Sequence, residues 1–188
     1  MNMKMNPSHS SMLMAVILLL AAVLACSGSI GNETEKANKL VNEGNAAVQE
    51  ANKFVTEAEE EKGQMLRTKI SEIEEARTLA KEAIAAYDKA EDKCKEAAKK
   101  YEEASKLRIN DKFKEYLTLK VKEYNKRAEV VETAKGTPQA LIDSENQKSF
   151  VTRAKANNEK VDALGKEAEE LASQSAKLEK ENPDIFKS

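Results

Sequence analysis

The chain is poor in the residues that usually build enzyme sites and compact cores. It has no tryptophan, 4% aromatic residues, six glycines and three prolines in 188 residues. Its one histidine is His9, and its two cysteines are Cys26 and Cys94. The sequence contains no phosphate-binding glycine loop, nucleophile elbow or Cys-x-x-Cys pair. Because these signatures of catalysis and metal binding are missing, we predict no enzyme activity, no cofactor and no metal.

Charge is abundant but balanced between the two signs. Charged residues make up 34% of the chain, and the formal net charge is -2. A nucleic-acid surface depends on an excess of basic residues that displaces counterions, so we predict no nucleic-acid partner. Alanine, glutamate, lysine and leucine dominate the rest of the sequence. That composition is typical of long helices and coiled coils.

One apolar run stands near the start of the chain, from Met12 to Ala25, and it ends at Cys26. A polar leader with a single basic residue, Lys4, precedes the run. The order of charged, apolar and small residues is typical of a secretory signal. A membrane-spanning helix needs about 20 apolar residues, so a retained transmembrane anchor is an alternative that fits less well. Plain signal-peptidase cleavage after Ala25, which releases a soluble envelope protein, is a second alternative.

The residues Val23-Leu24-Ala25-Cys26 resemble a lipobox, the tetrapeptide that closes the signal sequence of bacterial lipoprotein precursors. In that class the cysteine takes a diacylglycerol, the bond before it is cut and the new amino terminus is acylated. The resemblance implies a signal peptide over 1–25, cleavage between Ala25 and Cys26, and a lipidated Cys26 with a tether over 26–31. Such a cysteine holds the mature protein on a membrane, since each buried methylene contributes about 0.8 kcal/mol. Ser27 resembles the pattern of enterobacterial lipoproteins sorted to the outer membrane, which implies the periplasmic side of that membrane rather than the inner membrane.

The mature part predicts an all-α fold, an elongated antiparallel helical bundle or coiled coil of three to four helices over 32–182, with a tail over 183–188. Asn32 is the predicted cap of the first helix, and Gly44 on its apolar stripe predicts either close approach of a neighbouring helix or a bend. The predicted stripe of this helix is Ala37, Leu40, Gly44, Ala47, Ala51, Phe54 and Ala58.

A second helix is predicted after a stop at Lys62-Gly63, and it carries a heptad pattern from Leu66 to about Leu107. Glu91 with Lys95, and Glu96 with Lys100, are expected ion pairs on its outer face. The heptad positions are Leu66, Ile73, Ala80, Tyr87, Cys94 and Tyr101, joined on the same face by Ile70, Ala76, Ile84, Ala90, Ala97 and Ala104.

The remaining helices are predicted from their caps and stripes. Asn110-Asp111 is a weak break, and Gly136-Thr137-Pro138 predicts a glycine stop, a threonine cap and a proline at the first helical position. Asn182-Pro183 predicts the end of the last helix. The third stripe is Phe113, Leu117, Val121, Tyr124, Ala128 and Val131, and the last is Leu141, Phe150, Ala154, Val161, Leu164, Ala168, Leu171 and Leu178.

Three residues of the predicted heptad carry polar or reactive groups. Cys94 is interpreted either as a small seam residue or as the thiol of an intermolecular disulfide, and its seam position favours packing. Tyr87 and Tyr101 are interpreted as core residues whose hydroxyls reach water.

The sequence favours a lipid-anchored helical scaffold or interaction protein of the bacterial cell envelope without catalytic activity. The predicted partners are the membrane, through Cys26, and another protein or a second copy, through helix faces. The alternative is a periplasmic or surface-exposed ligand-binding lipoprotein with a groove between helices. The lysine-rich end also resembles the Braun-type murein lipoprotein, which is tied to peptidoglycan through a C-terminal lysine. Here Lys187 is followed by Ser188, whereas that family ends on the lysine.

Overall fold

The computed structural model of the chain describes residues 29–186, except the side chains of residues 29–31 and 70. The described residues form an all-α bundle, which confirms the predicted fold class. They contain no β-strand. The helices are α1 Ser29–Arg67, α2 Ile73–Ser105, α3 Asp111–Ala134, α4 Gly136–Asp143, α5 Gln147–Glu181 and α6 Pro183–Phe186, with a 3-10 turn at Ile70–Glu72 between the first two.

The four long helices pack in the order α1, α2, α3, α5. The central helix α2 packs against both α1 and α3, and α5 packs on α3. The short helix α4 lies against both α2 and α5. Short connections make neighbouring helices antiparallel. Since α1 has 39 residues, it is about 58 Å long, and the bundle is correspondingly elongated.

The core is a seam of small side chains, as the stripes predict. Ala47, Ala51 and Ala58 of α1 are each at most 3% exposed. All three lie in clusters that also contain residues of α2 and α3. Alanine lets the helix axes approach closely, although it buries less apolar surface per turn than leucine.

Helices α1 and α2 approach closely at Gly44. A Cβ atom at Gly44 would stand 3.0 Å from Cε1 of Tyr101, so the prediction of close approach is confirmed. The hydroxyl of Tyr101 donates a hydrogen bond of 2.6 Å to Oδ1 of Asn45 on α1. The hydroxyl of Tyr87 donates likewise to Glu59. Both tyrosines are core residues as predicted, and their hydroxyls donate to side chains of α1.

Both ends of α1 differ from the prediction. The stop at Lys62-Gly63 is wrong, because the buried stripe of α1 continues to Met65, which is 3% exposed, and the helix ends at Arg67. At its other end α1 begins at Ser29, so Asn32 lies inside the helix and is not its cap. Because α2 starts only at Ile73, the first two heptad positions, Leu66 and Ile73, lie outside the buried seam. The other four are buried as predicted, namely Ala80, Tyr87, Cys94 and Tyr101.

The start of α3 is predicted correctly, and the start of α4 is not. Oδ1 of Asn110 accepts a hydrogen bond of 2.8 Å from the backbone N–H of Lys112, so Asn110 caps α3. Gly136 is the first residue of α4, and Thr137 is no cap. Instead the Thr137 hydroxyl donates a bond of 2.9 Å to Oδ1 of Asn158 on α5. A Cβ at Gly136 would lie 2.2 Å from Oδ1 of Asn157, so glycine is needed there to let α5 approach.

The last predicted helix is two helices, since residues 144–146 separate α4, with Leu141, from α5. The predicted end of α5 at Asn182-Pro183 is confirmed. Residues 183–186 are not an extended tail but form α6. The Phe186 ring of α6 lies 5.7 Å from the Phe113 ring and 4.9 Å from the Tyr116 ring of α3, centroid to centroid. These edge-on contacts hold the end of the chain against α3.

Of the two ion pairs predicted for α2, one forms. Lys95 bonds to Glu91 as predicted. Lys100 instead pairs with Glu43 of α1 at 2.6 Å. Glu96 pairs with Lys93 at 2.8 Å. Such surface pairs contribute at most about 1 kcal/mol each, so packing dominates the stability of the bundle.

Lys135, at the junction of α3 and α4, joins acidic residues of two helices. Its ammonium lies 2.8 Å from Asp88 and 2.7 Å from Glu91 of α2, and it also contacts Glu132. Burial alone would raise the pKa of Glu91, but hydrogen bonds with Glu132, Lys135 and Lys95 lower that pKa to about 2. The ionised carboxylate of Glu91 therefore stabilises the folded state.

Replacing Gly44 by leucine is expected to destabilise the bundle by about 1–3 kcal/mol, because the new side chain displaces the Tyr101 ring. The matched control is Gly165→Leu on α5, where a Cβ meets nothing within 4 Å. There we expect unchanged or increased stability, since leucine favours helix by up to about 1 kcal/mol over glycine. Urea unfolding followed by circular dichroism measures both variants. Equal effects at the two glycines would contradict the close approach.

The low pKa of Glu91 predicts that the protein loses stability in acid. Between the folded value near 2 and the ordinary value of 4.5, the unfolded chain binds more protons at Glu91 than the folded chain. This contribution is fully present above about pH 5 and is lost as the pH falls towards 2. Lys135→Gln should lower stability at neutral pH and flatten the loss between pH 5 and 3, measured by urea unfolding at each pH. Lys177→Gln, which removes an exposed lysine, should keep the wild-type slope; an unchanged slope in Lys135→Gln would refute the assignment.

Candidate interaction surface

Both ends of the described chain lie at one end of the bundle, which we call the base (residues 29–37, 104–117 and 178–186). Glu33, near the start of α1, accepts a hydrogen bond from the backbone N–H of Arg108 in the connection between α2 and α3. At the other terminus, Phe186 packs on Phe113 and Tyr116 near the start of α3. The antiparallel course of the helices therefore brings the start of α1 and the end of α5 together.

The predicted lipidation and cleavage residues, Cys26 and Ala25, lie outside the described residues. Helix α1 begins at Ser29, three residues after Cys26. The three Cα–Cα steps from Cys26 to Ser29 span about 11 Å at most. A lipid on Cys26 would therefore hold the base, and not the opposite end, next to the membrane.

The opposite end, which we call the tip (residues 64–80 and 139–153), has its own small core. It brings together the last turn of α1, the first turns of α2, the end of α4 and the first turn of α5. Met65, Ala76 and Ala80 are buried there. Around them pack four partly buried apolar side chains, Leu79, Leu141, Ile142 and Phe150.

The tip also carries the exposed large apolar side chains of the described structure. Leu66 is 42% exposed, Ile73 38% and Val151 43%. The sequence pattern missed this surface, because Leu66 and Ile73 continue a heptad whose other members are buried. The signal that distinguishes them is the charge around them, since Arg67 follows Leu66 and Glu72, Glu74 and Glu75 surround Ile73. Apolar side chains gathered at one end of an elongated protein are typical of an interaction surface.

Charge at the tip is balanced in total but divided between helices. The chain is basic where α1 ends, because Arg67 in its last turn and Lys69 just after it are both exposed. The start of α2 is acidic, with exposed Glu72, Glu74 and Glu75 around Ile73. In all, the tip has five basic residues, Arg67, Lys69, Arg77, Lys148 and Arg153, and five acidic ones, Glu72, Glu74, Glu75, Asp143 and Glu145.

Two buried polar atoms at the tip have no hydrogen-bond partner within the described protein. They are Nε of Arg77 on α2 and Oγ of Ser144 in the connection between α4 and α5. Arg77 does bond to Glu74 at 2.7 Å, but through Nη1. Buried polar atoms are usually paired, so the fold of this end does not by itself satisfy its polar groups.

Cys94 lies in the middle of the bundle and not at either end. It is 4% exposed and packs against Ala51 and Ala128, as the packing interpretation predicts. Burial raises the pKa of its thiol to about 11, so the reactive thiolate is scarce at neutral pH. The intermolecular disulfide considered for this residue requires a surface thiol, which this position does not provide.

Glu123 on α3 is a buried acidic residue that the sequence analysis did not single out. It is 1% exposed and pairs with Lys120 at 2.7 Å and with Arg127 at 2.9 Å. The spacing of the three residues, one helical turn on either side of Glu123, is the signal from which the triad could have been predicted. Because basic groups hold both carboxylate oxygens, Glu123 braces α3 and is not placed as a free acid or base.

The described residues show neither a membrane-spanning helix nor a metal site. Within residues 29–186, no helix combines the length and apolar character required to cross a membrane. In the same range, no three His, Cys, Asp or Glu side chains converge as metal ligands. No family model, curated protein or solved structure matches the chain. Its function therefore has to be inferred from its own residues.

The opposite exposures of Cys94 and Leu66 predict different thiol reactivities. In the folded protein, Cys94 should react with a thiol reagent only as fast as the bundle opens. In a Cys94→Ala background, Leu66→Cys should react at the rate of an exposed thiol, at least about 100-fold faster. Intact mass spectrometry over a time course measures both. Fast labelling of Cys94 in the folded protein would contradict its burial.

Proposed function

We propose that the chain is a lipid-anchored helical spacer of the bacterial cell envelope, which holds an interaction surface at its tip away from the membrane. The lipobox-like residues and the apolar run before Cys26 support the anchor. The observation that carries the spacer role is the division of the bundle into two unlike ends. The start of α1 lies at the base, and Leu66, Ile73 and Val151 are exposed at the tip.

The length of α1 sets the reach of this spacer. With the base within about 11 Å of the anchor, a helix of 39 residues carries the tip about 58 Å outward if the bundle stands upright on the membrane. Contacts between helices, such as the Lys100–Glu43 pair at 2.6 Å and the Lys126–Glu167 pair at 3.0 Å, occur along this length. Packing and cross-helix pairs favour a stiff body over a flexible linker.

The middle of the bundle supports a structural role over binding in a groove. The α1–α2–α3 seam is occupied by side chains that are at most 5% exposed, among them Tyr101, Tyr124, Cys94 and Ala128. A groove binder would need some of these positions to be open. The tip is therefore the surface that we assign to partner binding.

Intact mass measurement on full-length protein, extracted from bacterial membranes with detergent, tests the anchor. We expect a chain that begins at Cys26 and carries a diacylglycerol and an amide-linked acyl group. Cys26→Ala should lose this modification and leave the membrane-anchored fraction or keep its leader uncleaved, because the thiol is the site of lipid transfer. Cys94→Ala is the matched control and should be processed and anchored like the wild type. A wild-type chain with an unmodified terminus or a retained leader would refute the proposal.

A further inference from the structure

We propose that the partner of the tip is a second copy of this chain, and that the two copies meet about a two-fold axis with Leu66 of each over Ile73 of the other. This inference names the partner of the surface assigned above and so rests on the proposed function. It is carried by the placement of charge around the exposed apolar side chains.

Each of these two apolar side chains has charges of one sign next to it in the chain. Leu66 is followed by Arg67, the last residue of α1, and by Lys69 in the connection after it, and both are exposed. Ile73 stands between Glu72 and Glu75 at the start of α2, and these glutamates are exposed too. The apolar surface of the tip therefore has a basic edge on α1 and an acidic edge on α2.

A two-fold axis converts this division into complementarity. In a two-fold interface the same patch contributes to both sides, so residue i contacts residue j and residue j contacts residue i. When Leu66 of one copy covers Ile73 of the second copy, the basic edge of each copy faces the acidic edge of the other. A partner with a single sign of charge would match one edge and repel the other.

The total charge of the tip also favours self-association. Five basic and five acidic residues leave it without net charge, so two identical tips do not repel each other as charged surfaces do. The exposed apolar area is small, and the interaction is expected to be weak in solution. Anchoring strengthens it, because two copies held on one membrane have a high effective concentration.

The proposed geometry is compatible with both copies being anchored in the same membrane. The two-fold axis then runs along the membrane normal, and the two bundles lean towards each other until their tips meet. The bases, which lie at the far ends of α1, stay apart at the membrane surface. The pair therefore stands as an arch with two lipid anchors.

Charge reversal on full-length protein tests the pairing, by sedimentation velocity in detergent and by energy transfer between labelled copies in vesicles of phosphatidylethanolamine and phosphatidylglycerol. The basic-edge variant is Arg67→Glu with Lys69→Glu, and the acidic-edge variant is Glu72→Lys with Glu75→Lys. Each alone should weaken dimerisation about ten-fold or more, because like charges then face each other. Combining all four changes should restore it to within about three-fold of the wild type, since the edges are again opposite in sign.

Two controls separate the tip from general effects of charge and of folding. Lys177→Glu with Lys180→Glu, near the base, makes the same change in net charge as the basic-edge variant and should leave dimerisation unchanged. Circular dichroism should show equal helicity in all variants, so that a loss of dimer is not a loss of fold. A photoreactive residue at exposed Ser71, in the turn between α1 and α2, should crosslink to a second copy, and one at exposed Ser173 on α5 should not.

Several outcomes would overturn the pairing. They are a wild-type chain that is monomeric in both detergent and vesicles, single-edge variants that dimerise normally, a combined variant that fails to recover, and a crosslink from Ser71 only to a different protein. Failure of the anchor is distinguishable, because it appears in the mass measurement and not in the dimerisation constant. A lipidated but monomeric chain would refute only the pairing, whereas an unlipidated dimer would refute only the anchor.

Discussion

The small distance between α1 and α2 is the constraint on which the rest of the bundle depends. It is fixed where the Tyr101 ring lies against Gly44, with no room for a side chain on α1. Alanines continue this spacing along the seam, and α3 completes the core, where its side chains join those of α1 and α2. A larger residue at this point separates two helices that bury little surface per turn and so have little stability to lose.

Polar contacts then fix the axial position of the helices. A seam of alanines alone does not fix the axial position, because a helix that slides along its neighbour places alanine against alanine again. Tyr87 and Tyr101 are two heptads apart on α2, and their partners Glu59 and Asn45 are two heptads apart on α1. Both hydrogen bonds therefore form in one register and both are lost in a shifted one, which leaves buried polar groups unpaired.

Periodicity predicted the helices and their buried faces well, because burial on one face of a helix imposes its period on the sequence. The heptad positions from Ala80 to Tyr101 are buried as expected, and so is the stripe from Phe113 to Val131, except that Val121 is only partly buried. Boundaries were less predictable. Gly63 predicts a stop, but Met65 is buried only two residues later and the helix continues to Arg67. Thr137 suggested a cap, but its hydroxyl bonds to α5, which no local pattern contains.

The tip was missed because Leu66 and Ile73 match the heptad and only the chain reversal between them removes them from the seam. The lipidation of Cys26 stays a prediction of the sequence.

The contact of α6 with α3 completes the fold with the last described residues of the chain. Most helix contacts join helices that are close in the sequence, so successive hairpins can form as the chain is synthesised, amino terminus first. Phe113 and Tyr116 are different, because Phe186 covers them only when the last residues have arrived. A chain that stalls or is cut short keeps two aromatic rings uncovered at its base. An incomplete molecule therefore keeps apolar surface exposed at its base, which makes it prone to aggregation.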